Sequence, residues 1–265
     1  MITAGVDLGI RCVKAVILKD WHRVGFSFAP TGYNPDLTAK LVLEQALKMA
    51  GLKREDIDFI VSTGYGRRVT SLANDTISEI LANARGVQWL GANLGVRTII
   101  DIGGQDTKVI GLDDNLQIHK FIMNDKYDAG IGRFLEELAE VLDIPLDQMG
   151  VLSLKSKNPV HINTSLMFTK SEVSNLIFQG YKKEDIIAGI YRAIARSLVA
   201  MVKRVGLRGT VFFDGGPAKN IGMIKAMERE LGMKMYVPKM PQMVTATGAT
   251  LVAAERFIGY GWSRH

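Results

Sequence analysis

The residues best suited to chemistry in this chain occur as one phrase written twice. Val6-Asp7-Leu8-Gly9 is followed by Lys14 and an apolar run, and Ile100-Asp101-Ile102-Gly103-Gly104 is followed by Lys108-Val109-Ile110. Each copy reads as a buried strand ending in Asp-x-Gly, a tight turn, and a second strand opening on lysine. Glycine lets the backbone come close enough to a phosphate for amide N–H groups to face it. The neighbouring aspartate can hold a metal ion or its water, and the lysine can neutralise phosphate charge. One Asp-x-Gly turn is ordinary hairpin punctuation. Two copies, about one small domain apart, imply a duplicated fold gripping a nucleotide from both sides.

Two further glycine turns extend the set. Asp214-Gly215-Gly216-Pro217-Ala218-Lys219-Asn220 follows the apolar strand Val211-Phe212-Phe213 and opens a helix, and Thr245-Ala246-Thr247-Gly248-Ala249 opens the last one. A helix N-terminus with glycines lets a base or a phosphate lie against the backbone. Each turn alone is explained by a cap; the four in this order carry the signal. Other reactive side chains form no pattern. His22, His119, His161 and His265 share no metal-ligand spacing, and the 12 methionines scatter through apolar positions as core filler.

Composition sets the bounds. With 265 residues and 47% apolar content, the chain can bury a large core, and 23% charged residues is ordinary for a globular protein. The net charge of +6 comes without a Lys/Arg block or aromatic-basic interleaving, so no nucleic-acid partner is expected. No run approaches the ~20 apolar residues of a membrane span. The first strand starts at about Ile2, without room for a signal peptide, and the expected location is the cytoplasm. The single cysteine, Cys12, excludes an internal disulfide framework and cannot alone hold an iron–sulfur cluster.

The elements that must position these residues follow from apolar periodicity. Strands are expected over Ile2–Val6, Val13–Leu18 and Val24–Phe28, then a helix over Thr38–Met49 stopped by Gly51, a strand over Asp58–Ser62, a Gly-rich turn over Thr63–Arg67, and a helix over Ile77–Gly86. From Thr98 the β-β-β-α pattern repeats, with strands at Lys108–Leu112 and Ile118–Met123 and a helix at Gly132–Leu142. Helices over Leu166–Gln179 and Lys183–Val205, a strand at Thr210–Phe213, a helix over Ile221–Leu231, a strand at Met235–Val237 and a helix over Ala246–Phe257 complete the pattern. Residues 1–97 are expected to form one domain and 98–245 a second, with helix 246–265 packing back on the first.

The ordered set resembles the acetate kinase, sugar kinase, Hsp70 and actin superfamily, which implies an α/β fold of duplicated ribonuclease H-like domains with a nucleotide cleft between them. Within it, five phrases are similar to one family: Ser62-Thr63-Gly64-Tyr65-Gly66-Arg67, Asp101-Ile102-Gly103-Gly104-Gln105-Asp106-Thr107-Lys108, Asn124-Asp125-Lys126, Gly130-Ile131-Gly132-Arg133-Phe134-Leu135-Glu136 and Gly215-Gly216-Pro217-Ala218-Lys219-Asn220. The chain resembles, end to end, the ATPase activators of 2-hydroxyacyl-CoA dehydratases and the ATPase subunits of benzoyl-CoA reductase. The resemblance implies ATP/ADP and Mg²⁺ as ligands, a homodimer or paired subunits, and a reductase- or dehydratase-like partner. The family also holds a [4Fe-4S] cluster at its subunit interface, where ATP hydrolysis drives an electron into the partner. Water would attack the γ-phosphate, with Asp101 and Asp7 holding Mg²⁺ or its water, Gln105 orienting the attacking water, and Lys14 and Lys108 neutralising phosphate. Gly9, Gly103, Gly104, Gly132, Arg133, Gly215, Gly216 and Gly248 would approach the nucleotide, and Lys219 and Asn220 the adenosine.

Two departures qualify the resemblance. Tyr127 and Ser165 stand where the family has cysteines, and neither is a ligand for soft iron–sulfur chemistry. A [4Fe-4S] cluster held in the family's manner is therefore not expected in a homodimer of this chain; a heterodimer with a cluster-bearing paralogue would supply one. In the first phosphate turn Ile10-Arg11-Cys12 replace small hydroxyl residues, and Arg11 either meets phosphate bidentately or points to solvent. Alternative readings are a small-molecule kinase of the same superfamily and a non-hydrolysing nucleotide-binding regulator.

Overall fold

The structure is a computed structural model that describes residues 1–124, 130–162 and 170–262. In chain order its elements are β1 (Ile2–Leu8), β2 (Cys12–Lys19), β3 (His22–Pro30), α1 (Pro35–Ala50), β4 (Phe59–Thr63), β5 (Asp75–Thr76), α2 (Glu79–Leu90), β6 (Val96–Ile102), β7 (Thr107–Leu112) and β8 (Ile118–Met123). Then follow α3 (Ile131–Val141), α4 (Leu146–Ser153), α5 (Lys170–Phe178), α6 (Lys183–Val205), β9 (Thr210–Gly215), α7 (Ile221–Leu231), β10 (Met235–Tyr236) and α8 (Val244–Trp262). The chain divides into two compact units: Met1–Gly95 with the chain from Gln242 onward, and Val96–Pro241.

Unit 1 is built on a sheet of order β3-β2-β1-β4-β5, antiparallel from β3 to β1 and parallel from β1 to β5. Alternation along β1 sorts its side chains. Ala4, Val6 and Leu8 enter the core with Ala39, Val42, Leu43, Ala46 and Leu47 of α1. Thr3, Gly5 and Asp7 take the opposite face, where α8 lies: Thr3 Oγ1 donates to the Thr250 carbonyl at 3.3 Å, and a Cβ on Gly5 would sit 2.3 Å from the Ala246 oxygen. The helix termini are written locally. Asn34 caps α1 through the Leu37 N–H, with Pro35 at its first position and left-handed Gly51 past its end. Ser78 caps α2 through the Leu81 N–H, so that helix starts at Glu79 rather than at the apolar Ile77.

Unit 2 repeats the plan with order β8-β7-β6-β9-β10, again antiparallel on one side of the first strand and parallel on the other. Ile100, Ile102, Val109 and Phe213 turn toward Ile190, Ile194, Leu198 and Met223 of α6 and α7. Asp101 and Lys108, one position out of phase with them, face the other way. Two elements carry too little pattern to be read in advance: β5 has two residues, and α4 follows α3 after a short break at Asp143, whose φ is +49°. The helix expected over Leu166–Gln179 falls partly on residues outside those described; its described part is α5.

Candidate functional site

In unit 2 the β6–β7 hairpin sets Asp101 directly opposite Lys108. Their carboxylate and ammonium stand 3.6 Å apart, with 7% of Asp101 and 4% of Lys108 exposed. The Gly103 N–H donates to the Asp106 carbonyl at 2.8 Å and closes the turn, leaving Gln105 exposed at its tip. On the other side of β6, parallel pairing with β9 places buried Asp214 in register with Asp101. The next residue, Gly215, has φ +85°, and a Cβ there would lie 2.1 Å from the Ile102 oxygen and 3.0 Å from Asp101 Oδ1. Only glycine lets the β9 backbone lie against that carboxylate. Beyond it, Gly216 is exposed and opens a 3₁₀ turn over Gly216–Lys219.

Unit 1 contains the same arrangement. Asp7 is opposite Lys14 in the β1–β2 hairpin, with their charges 2.9 Å apart. Parallel pairing with β4 places Thr63 in register with Asp7, and Gly64 follows at φ +94°, where a Cβ would sit 2.7 Å from Asp7 Oδ1. Two ties hold the turns together: the Gly66 N–H donates to the Leu8 carbonyl at 2.9 Å, and Thr31 Oγ1 donates to the Gly9 carbonyl at 2.7 Å. The Arg67 guanidinium donates to the Gly64 carbonyl at 3.1 Å. Arg11 is exposed, and its carbonyl accepts the Thr31 N–H. The two centres therefore differ in one residue. Unit 1 sets an aspartate against a lysine with Thr63 in register beside it; unit 2 sets an aspartate against a lysine with Asp214 in register beside it.

Several residues expected at the nucleotide also make contacts within the protein. Gly248 lies in α8, where a Cβ would strike the Ala82 carbonyl of α2 at 1.7 Å, so its smallness serves the crossing of two helices. Asn220 caps α7, with Oδ1 accepting the Met223 N–H at 3.1 Å and Nδ2 donating to the Tyr191 hydroxyl at 2.6 Å. Its amide thereby links α7 to α6. Arg133 runs along its own helix to Glu137 at 3.0 Å, while its N–H donates to the Gly104 carbonyl. Gly132 packs on the same turn, a Cβ there lying 2.6 Å from the Gly103 oxygen. The start of α3 thus braces the phosphate turn. Lys219 is exposed in the 3₁₀ turn. Tyr127 and Ser165 lie outside the described residues, and no helix is long and apolar enough to cross a membrane among those described.

Two sheets of one strand order, each carrying a paired Asp and Lys beside a left-handed glycine, define a duplicated α/β ATPase of the actin, Hsp70 and sugar-kinase type. The chain belongs to the BadF/BadG/BcrA/BcrD ATPase family, whose pattern matches residues 4–253. It is 41% identical over 254 residues to the 2-hydroxyisocaproyl-CoA dehydratase activator of Clostridioides difficile, covering 96% of this chain and 95% of that protein. It is 40% identical over 256 residues to the activator of lactoyl-CoA dehydratase of Anaerotignum propionicum, covering 96% and 98%. The solved structure of the Clostridium difficile activator with bound ADPNP superimposes with a TM-score of 0.92 over 99% of this chain and 98% of that one. Sugar kinases of the ROK type share the fold alone, at 12% identity.

Proposed function

We propose that this protein binds and hydrolyses ATP to drive a partner enzyme that acts on acyl-CoA thioesters, of the 2-hydroxyacyl-CoA dehydratase or benzoyl-CoA reductase kind. The observation that carries the reading is the recurrence, in a member of this ATPase family, of an Asp–Lys pair at the same place in two sheets of one topology. The glycine turns supply backbone amides to the phosphates. Lys14 and Lys108 exchange part of their pairing with aspartate for phosphate charge, and Gln105, at an exposed tip, orients the water that attacks the γ-phosphate. That water forms the new P–O bond as the bond to the ADP oxygen breaks, releasing ADP and phosphate.

Asp7 and Asp101 suit a hard divalent cation by their oxygen donors. Asp214, in register beside Asp101, adds a second carboxyl group with oxygen donors on that side, so we propose that Mg²⁺ is held in unit 2. When bound, the ion neutralises charge on the phosphates. We further propose that this chain carries no [4Fe-4S] cluster of its own: Cys12 is its single cysteine and begins β2 at the phosphate turn of unit 1. It then works as a homodimeric conformational motor or beside a cluster-bearing paralogue in a heterodimer. The test is phosphate release by anaerobically purified protein with and without its partner, together with iron and sulfide reconstitution. ATP-dependent release that no small-molecule acceptor accelerates supports the reading. No turnover with the partner present removes the motor, and a stable cluster absorption band in this chain alone removes the cluster-free assignment.

A further inference from the structure

Asn220 joins α6 and α7 at the end of the 3₁₀ turn that carries exposed Gly216 and Lys219. Its N–H donates to the Pro217 carbonyl at 3.0 Å and ends that turn, and its Oδ1 starts α7. Its Nδ2 donates at 2.6 Å to the hydroxyl of Tyr191, a residue of α6 that is 1% exposed. The surrounding backbone leaves no slack. A Cβ on Gly150 of α4 would lie 2.6 Å from Asn220 Oδ1, and one on Gly222 of α7 would lie 2.8 Å from the Tyr191 ring and 2.1 Å from Ser153 Oγ.

The turn thus has two anchors. At one end β9 pairs with β6 up to Gly215; at the other, Asn220 is fixed by the Tyr191 hydroxyl. We propose that Tyr191 is a positioning residue for nucleotide binding, setting through Asn220 the place of Gly216 and Lys219 without touching the nucleotide. This rests on the reading of the Gly215–Asn220 turn as nucleotide-facing. Burial drives the Tyr191 pKa upward, so the phenol stays neutral and the hydrogen bond persists across the working pH range.

The test is titration of the full-length protein with a fluorescent N-methylanthraniloyl ADP, with melting temperatures recorded in parallel. Tyr191→Phe removes the hydroxyl. Asn220→Ser keeps a helix cap and loses the reach to Tyr191. Both are expected to raise the Kd about fivefold, the weight of one hydrogen bond. Asn220→Asp keeps the cap and can accept the Tyr191 O–H, so its Kd is expected within about twofold of the parent. Val202→Ala, in the core of the same helix, is expected to lower the melting temperature and leave the Kd unchanged. Tyr191→Phe and Asn220→Ser proteins that bind as the parent does, whatever their melting temperatures, overturn the proposal. So does an Asn220→Asp protein as weak as Asn220→Ser. A parent protein that binds no nucleotide overturns the ATP reading itself, and the two failures are told apart by that one curve.

Discussion

At the residue scale, the duplicated centres are alike in position and unlike in their third residue. Asp7 pairs with Lys14 and has Thr63 in register beside it, whereas Asp101 pairs with Lys108 and has Asp214 in that place. On the proposed reading, a divalent cation sits at the centre with the extra carboxyl group. With ADP present, Mn²⁺ affinity read by electron paramagnetic resonance is expected to fall about tenfold or more in Asp101→Asn and several-fold in Asp214→Thr, which installs the residue unit 1 uses. Asp7→Asn is expected to change it least; the reverse ranking would place the metal in unit 1. Asp7, Lys14, Asp101 and Lys108 were legible in the sequence because a hairpin pairs residues that are near neighbours in the chain. In the sequence Asp214 stands only as part of a turn, since its place beside Asp101 is set by parallel pairing between distant strands. Asn220 and Gly248 show that residue types suited to a ligand also suit a helix cap and a helix crossing, roles that distant neighbours reveal and the local sequence does not.

At the element scale, the crossing of α2 and α8 depends on backbone contact. A methyl group at Gly248 meets the Ala82 carbonyl, and one at Gly86 meets the Val244 carbonyl at 2.2 Å. Gly248→Ala is therefore expected to destabilise the fold by about 1–3 kcal/mol, the usual cost of overpacking, with the ADP Kd unchanged. A weakened Kd at an unchanged melting temperature would return Gly248 to the nucleotide. Helix α1 offers a pH-dependent tie. Asp36, in its first turn, is held at a pKa of about 2 by the Lys40 ammonium and then by the Ser71 N–H at 2.9 Å. Because the folded-state value lies below the ordinary carboxylate value, this contribution is present above pH ~4 and is lost as pH falls toward 2. Replacing Asp36 with Asn is expected to lower the melting temperature slightly at neutrality, by a difference that disappears as pH falls toward 2, so that the acid limb of the profile flattens. A variant whose acid limb matches the parent's would show that the tie contributes nothing. Periodicity located α1 and α6 because their apolar faces are long. It could not show β5 or α4, which owe their form to neighbouring strands and helices rather than to a pattern of their own.

At the scale of the whole molecule, the repeated phrase did foretell a repeated architecture. Strand order, pairing sense and the register of the Asp–Lys pair recur in both units. What duplication could not foretell was divergence between the halves, because each copy keeps the fold with different residues beside its aspartate. Thr63 and Asp214 occupy matching strand ends, each followed by a glycine with positive φ. The architecture tolerates the exchange because both centres need a left-handed glycine and an Asp–Lys pair, whereas the third position is set by chemistry. The family phrases carried the functional reading further than geometry alone could, since sugar kinases keep the fold at 12% identity and use it otherwise.

The hydrogen bond from Thr3 to Thr250 joins residues 247 positions apart, while Val96–Pro241 is one uninterrupted stretch. On the ribosome, the strands made first must wait for the helix that covers them. The face of β1 that carries Gly5 has no lid until α8 has been translated. The inserted half can mature while the outer half is still open, inverting the usual order in which domains fold from the N-terminus. Nascent chains of this protein thus present an uncovered sheet face through most of their synthesis, the kind of surface that chaperones and proteases survey.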